Sequence, residues 1–242
     1  MTDHPHTDDS HGTKARLLDA AEQLFIEHGF DGTVMRQVAS RSSANLAAIS
    51  YHFGGKEAMI KAMLARRLDP FALDCMIFLD RLVDRFGSYS ECSHVLGVLF
   101  VAVRQSSSRM NLERNTLLRL IVRVTIDPSA VVQDFIHARY ADAIDRFCGA
   151  LSRITPNLPI SELTWRLHCA AHTLSGILTN SRSLNLFEKF SIRAGLPDRD
   201  VLSRITVLIG NVLMVPSTDT SQLARLSTLL LDREDSRLAE LK

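Results

Sequence analysis

Apolar residues repeating at helical intervals, with little proline to interrupt them, constrain this chain more than any other feature. In TKARLLDAAEQLFIEHGF, beginning at Thr13, Leu17, Ala21, Leu24 and Phe25 fall on one face of a helix. The pattern stops at Gly29, a residue free to take the positive φ that ends a helix. Asp31-Gly32 then supplies a turn, and Thr33 is placed to N-cap a second helix carrying Val34, Val38 and Ala39. SRSSAN breaks that pattern. A third short helix follows, with Leu46, Ile49 and Phe53 on its inner face and Gly54-Gly55 at its end. Lys56-Glu57 starts a fourth, whose apolar positions are Met59, Ile60, Met63 and Leu64.

Beyond Pro70 the elements lengthen. FALDCMIFLDRLVDRF runs to Gly87, SHVLGVLFVAVRQ follows, and NLERNTLLRLIVRVTI ends at Asp127-Pro128, where proline forces a new start. SAVVQDFIHARYADAIDRFCGALSRI is amphipathic over about seven turns. ISELTWRLHCAAHTLSGILTNSR, VLSRITVLIGNVLMV and TSQLARLSTLLLDREDSRLAELK complete the chain, and no repeat of fixed period is visible. With 46% hydrophobic residues and only 11 Gly and 7 Pro in 242, the composition favours helices around a large core. The expected fold class is all-α, in two domains.

The expected division is a disordered polar arm over 1–12, a helix-turn-helix domain over 13–60 and a larger helical domain over 61–242. The arm has His4, His6 and His11 among Asp3, Asp8 and Asp9 and nothing apolar to bury. Net charge is +1, from 28 basic and 27 acidic side chains, so any surface for nucleic acid must be local. The segment from Thr13 to Arg67 carries such an excess, with Lys14, Arg16, Arg36, Arg41, Lys56, Lys61, Arg66 and Arg67 outnumbering five carboxylates. Cys75, Cys92, Cys148 and Cys169 are widely spaced, which predicts buried reduced thiols and no zinc site or disulfide framework. No apolar run reaches the length of a membrane span and the N-terminus has no apolar leader, so a cytoplasmic protein without cofactor or metal is expected.

Two helices joined by a short turn, the second with a small and polar outer face, form a unit whose second helix can enter the DNA major groove. Ala39 is small enough for the two backbones to approach. Asn45 can reach bases or phosphate, Ala47 and Ala48 offer methyl contacts to thymine, and Tyr51 and His52 suit phosphate oxygens. Lys56, beside the first amides of the fourth helix, forms a second phosphate anchor.

TKARLLDAAEQLFIEHGFDGTVMRQVASRSSANLAAISYHFGGKEAM resembles the DNA-binding domain of the TetR/AcrR regulators. The matching features are the apolar first helix ending in GF, the T-x-M-R-x-V-A second helix, and YHF with KE two residues later. The resemblance implies an all-helical homodimer, an N-terminal reader of double-stranded operator DNA and a C-terminal ligand domain. Carried over by position, it implies DNA contacts from Thr33, Arg36, Asn45, Ala47, Ser50, Tyr51, His52 and Lys56. Ser43 stands where the family usually has a turn glycine, Ala44 where it has valine, and Ser50 where many members have tyrosine. NLAAISYHFGGKEAMIKAMLARRLDPF also resembles the PsrA-like, fatty-acid-responsive branch, which implies a fatty acid or acyl-CoA as effector.

Candidate pocket residues are Phe100, Arg104, Leu117, Leu120, Ile121, Val124, Phe135, Ile136, Tyr140, Trp165, His168, Cys169 and His172, with Arg104 or Arg119 suited to an anionic head group. The last long helices are apolar on more than one face, which suggests a homodimer core of Leu174, Ile177, Leu178, Ile205, Ile209 and Leu213. Two other readings stay open. His168 and His172, four apart on one helix, have a spacing that can hold a metal and so allow a helical metal-dependent enzyme. A DNA-binding or interaction module without an effector is the second.

Overall fold

The computed structural model describes residues 7–86, 91–179 and 198–215, which form nine α-helices and no strand. They are α1 (Thr7–Gly32), α2 (Met35–Arg41), α3 (Leu46–Phe53), α4 (Lys56–Phe86), α5 (Cys92–Arg109), α6 (Arg114–Ile126), α7 (Ala130–Ile154), α8 (Ile160–Thr179) and α9 (Asp198–Met214). The final amphipathic segment read from the sequence lies outside the described residues. Two expectations need correction. α1 begins at Thr7, inside the stretch expected to be a disordered arm. α4 runs unbroken through Pro70 for 31 residues, because its packed neighbours on both sides of the proline hold the helix that the missing amide would otherwise interrupt.

α4 joins the two expected domains and is covered along its length by α1, α5 and α7. Its first half shares a core with the N-terminal helices: Leu17, Leu24, Phe25, Ile49, Met59, Ile60, Met63 and Leu64 are all 2% exposed or less. Leu120, Val124 and Val132 of α6 and α7 belong to that same core, so the reader is packed against the C-terminal helices and not tethered loosely to them. Ion pairs close its rim. Arg67 Nε meets Glu22 at 2.5 Å and Arg66 meets Asp19 at 2.7 Å, with Glu22 only 3% exposed as a whole residue. A second core, around Leu79, Val95, Leu151, Leu163 and Leu213, lies at the far end between α4, α5, α7, α8 and α9.

Polar side chains join the long helices. Asp74 on α4 is buried, accepts from Ser106 Oγ at 2.5 Å and pairs with Arg109, which ties α4 to the end of α5. Asp69, five residues earlier, takes a forked pair from Arg139 at 2.8 and 2.7 Å and the Tyr140 hydroxyl at 2.7 Å. Tyr140 lies where α7 departs from helical geometry (φ −120, ψ 16). Hydrogen bonding from Arg139 holds the Asp69 carboxyl below its usual value of 3.8 against the opposing effect of burial, and Tyr140 acts in the same direction as Arg139. The folded state therefore binds this proton less readily than the unfolded chain. Its contribution is complete above the unfolded value and is lost as pH falls through the folded one. Asp69→Ala is expected to lower urea stability near neutrality, and the gap from the wild type to close as pH falls below the ordinary carboxylate range. A gap independent of pH would show that the pair carries no proton-linked stability.

Candidate nucleic-acid interface

A break in α1 positions everything downstream of it. Gly29 has φ 72 and ψ −171, and a Cβ there would lie 2.6 Å from Asp127 Oδ2. Glycine is needed for both conformation and space. On one side of the break the Phe30 amide donates to Asp127 Oδ2 at 2.9 Å. On the other, Arg123 donates to the carbonyls of Ile26 at 3.2 Å and Glu27 at 3.3 Å. The end of α6 thus caps an interrupted helix twice, with an anion for its exposed amide and a cation for its exposed carbonyls.

Thr33 is fully buried, and its hydroxyl donates back to the Gly29 carbonyl at 2.6 Å. The residue at the N-cap of α2 is Val34, with no side-chain cap, so Thr33 neither caps α2 nor offers its side chain to DNA. The cause is the break at Gly29, which leaves a carbonyl for the threonine to satisfy. α2 ends in a Schellman arrangement: the Ala44 amide donates to the Ala39 carbonyl at 2.9 Å and the Ser43 amide to the Ser40 carbonyl at 3.2 Å. Ser43 is left-handed, φ 53, so this serine adopts the conformation of the glycine that the family resemblance led us to expect.

Asn45 caps α3, its side-chain oxygen accepting from the Ala48 amide at 2.8 Å, and the residue is exposed. Ile49, 2% exposed, holds α3 down, with Ala44, Ala48 and Phe53 packed partly against the same core. Leu46, expected on the inner face, is 47% exposed; Ile49, near the middle of α3, is the residue that seats the helix. Ala48 is turned to the core and is unsuited to a thymine contact. Arg36 on α2 and Ala47, Ser50 and Tyr51 on α3 are exposed, Tyr51 to 84%, and His52 is half-buried with its ring edge-on to Tyr51 at 5.1 Å. α3 closes on Gly54, φ 79.

Lys56 is held in place: Nζ donates to the Asp31 carbonyl at 3.2 Å and sits over the Phe30 ring, 4.6 Å from its centroid. Lys14, counted from the sequence only as part of the local positive excess and not as a DNA contact, lies over the Phe53 ring at 5.7 Å and so adds a cation from α1 to the end of α3. Much of the positive excess counted along this segment is spent within the chain. Arg41 pairs with Glu27 at 3.1 Å, Lys61 with Glu57 at 3.7 Å, Arg66 and Arg67 with Asp19 and Glu22, and Arg16 binds the Ser42 carbonyl at 3.3 Å. Lys14, Arg36 and Lys56 are the bases of the segment placed outside those pairs.

The structure does not gather the thirteen candidate pocket residues into one site. Phe100 and Arg104 line a groove of about 620 Å³ between α5, α6 and α9, with Val101, Leu118, Val207 and Arg114. Leu117, Leu120 and Val124 are at most 6% exposed inside the cores, and Ile121, Phe135, Ile136 and Tyr140 pack against the core shared with the reader. Arg119 is also half-buried, away from the groove lining. Trp165, 61% exposed, and His168, Cys169 and His172 lie on the outer face of α8. Of the candidate dimer residues, Ile209 and Leu213 are 8% and 1% exposed and packed in the chain's own second core, so they are not available to another copy. The side chains of Leu174, Ile177, Leu178 and Ile205 lie outside the described residues. The cysteines are free, with Cys75 and Cys92 buried, Cys148 half-buried and Cys169 exposed against expectation; burial pushes the Cys75 thiol up to about 12.

A capped helix-turn-helix set on a larger helical body defines a class of bacterial regulators. Residues 17–63 match the family described as bacterial regulatory proteins, tetR family, and residues 99–194 match the tetracyclin repressor-like C-terminal domain. The chain belongs to the TetR family, whose members are transcriptional regulators and not enzymes. It is 26% identical over 142 residues to the HTH-type transcriptional regulator SrpR of Pseudomonas putida, covering 59% of each chain. It is 27% identical over 135 residues to the uncharacterized regulator TtgW of Pseudomonas putida, covering 56% of this chain and 88% of that protein. The hemolysin II transcriptional regulator HlyIIR shares the fold, with a TM-score of 0.50 at 20% identity over 82% of this chain and 97% of that one. No helix among the described residues is long and apolar enough to cross a membrane.

Two substitutions test the local geometry. Ser43→Gly is expected to raise unfolding stability by about 1 kcal/mol, by relieving a left-handed serine, as read by urea denaturation. Asp127→Ala is expected to lower it by about 1–3 kcal/mol, because the Phe30 amide loses its buried acceptor. The opposite sign in either case contradicts the geometry assigned to it.

Proposed function

We propose that this chain is a homodimeric transcriptional repressor that reads a palindromic double-stranded operator and is released by an amphipathic effector such as a fatty acid or acyl-CoA. The observation that carries the DNA reading is the outward side of α2 and α3. Arg36, Ala47, Ser50, Tyr51 and His52 lie there on helices held by a buried Ile49, with Lys14 and Lys56 at the edges. Asn45, at the N-cap of α3, is exposed beside them. Small side chains and one exposed tyrosine suit the floor of a major groove, while the lysines and the first amides of α4 suit phosphates. Two such readers must stand about 34–36 Å apart to meet successive half-sites.

Exposed Trp165 on α8 and Leu208, Val212 and Met214 on α9 support a second copy as the partner of these helices. The groove between α5, α6 and α9 supports the effector reading, since Phe100, Val101, Leu118 and Val207 suit an acyl chain and Arg104 and Arg114 an anionic head. α6 carries one wall of the groove and also the residues that cap the break in α1. An effector that shifts α6 therefore opposes DNA through a coupling of about 1–3 kcal/mol.

Fluorescence anisotropy on DNA from upstream of the chain's own gene, against scrambled competitor, tests both parts. Specific binding that a long-chain acyl-CoA releases is the expected result; specific binding indifferent to it overturns the effector, and absence of specific binding overturns the operator. Lys56→Ala is expected to weaken binding and reduce the slope of log affinity against log salt by about 0.9, and Tyr51→Phe to weaken it through loss of one hydroxyl contact. Unchanged affinity in both removes the roles given to them.

A further inference from the structure

The outer face of α8 carries a pair of histidines that neither the DNA reading nor the groove uses. His168 and His172 are one helical turn apart and exposed, and their Nε2 atoms approach to 2.9 Å. The rings stand nearly perpendicular, at 82° with centroids 4.4 Å apart, so both nitrogens reach the same point without the rings colliding. We propose that His168 and His172 form a two-histidine chelate for a divalent late first-row metal ion of the kind imidazole prefers, nickel or copper above all.

The geometry follows from simple lengths. A metal bonded to two imidazole nitrogens at ~2.0–2.1 Å with a ~90° angle between them separates those nitrogens by ~2.9 Å. That is the cis arrangement of octahedral or square-planar sites; tetrahedral coordination needs about 3.3 Å, a small opening of the pair. Without metal, one Nε2 carries a proton and donates to the other. On metal binding the donating ring changes tautomer, its proton passing from Nε2 to Nδ1 by way of solvent, so that both Nε2 lone pairs face the ion and both Nδ1–H groups are directed away from it. Among the described residues no third histidine, cysteine or carboxylate joins the pair, so water completes the coordination on a single chain. Where two copies meet through α8, a second pair can supply the remaining positions.

The chain's only tryptophan reports on this face. Trp165 precedes His168 by three residues and is 61% exposed. The test is titration of the full-length protein with nickel chloride, reading Trp165 emission, bound metal per chain and melting temperature. A saturable change at one metal per chain, or per two chains, with a raised melting temperature is the expected result. Because loss of even an outer-shell partner of a metal ligand costs about 10–100-fold, His168→Ala and His172→Ala should each weaken binding roughly tenfold or more. Both rings are exposed, so melting without metal stays at the wild-type value and confirms that the variants fold. Equal affinity in the double variant would place the ion on other histidines, such as His4, His6 and His11, and overturn the proposal, as would the absence of saturable binding.

Discussion

The grip of α6 on the broken end of α1 is the constraint around which the rest of this molecule is arranged. A helix interrupted at Gly29 leaves carbonyls behind the break, at the edge of the core, and ahead of it a buried amide that water cannot satisfy. Arg123 in the last turn of α6 and Asp127 just past its end, some hundred residues away, supply both partners. The carboxylate is itself fixed by the Ser129 amide at 3.1 Å, so it cannot swing away without leaving a second group unpaired. The DNA-reading helices are therefore referenced to α6. Because Leu120 and Val124 on that helix belong to the reader's own core, apolar packing and polar capping act at the same place.

From that reference point the reader is built with few side chains. Thr33 closes the Gly29 carbonyl, Ser43 turns the chain between α2 and α3, Asn45 starts α3, and Ile49 seats it. Each outward residue on α3 is consequently held by a backbone whose own hydrogen bonds are already met. The cations follow the same logic: Arg66 and Arg67 hold α4 to α1, while Lys14 and Lys56 rest on aromatic rings at the edge of the reader. A lysine resting on a ring has lost part of its conformational freedom before any phosphate arrives, which lowers the cost of binding one.

Helix periodicity made most of this fold legible, and the reader in particular, because its stripes are short and each packs on a neighbour in sequence. Gly29, Gly54 and the turn at Ser43 were visible as punctuation. Periodicity states that a face is buried and leaves open what buries it. For that reason Leu120, Phe135 and Ile136 read equally well as pocket or core, and Ile209 and Leu213 as dimer or core. Thr33 misled for a related reason: a threonine ahead of a helix is a sound cap, unless a carbonyl freed by a distant contact claims its hydroxyl first. The pairing of Asp127 with Phe30, and the neutralisation of Arg66 by Asp19 and Glu22, join residues too far apart in the chain for spacing to connect them.

Reader and C-terminal helices share one core and hold together as one unit. Native-state hydrogen exchange under increasing denaturant measures this directly. Amides of α1, α3 and the first half of α4 are expected to open at the same free energy as those of α6, with the Phe30 amide among the most protected. Exchange of α1 to α3 at a distinctly lower free energy, while α6 stays protected, would contradict it.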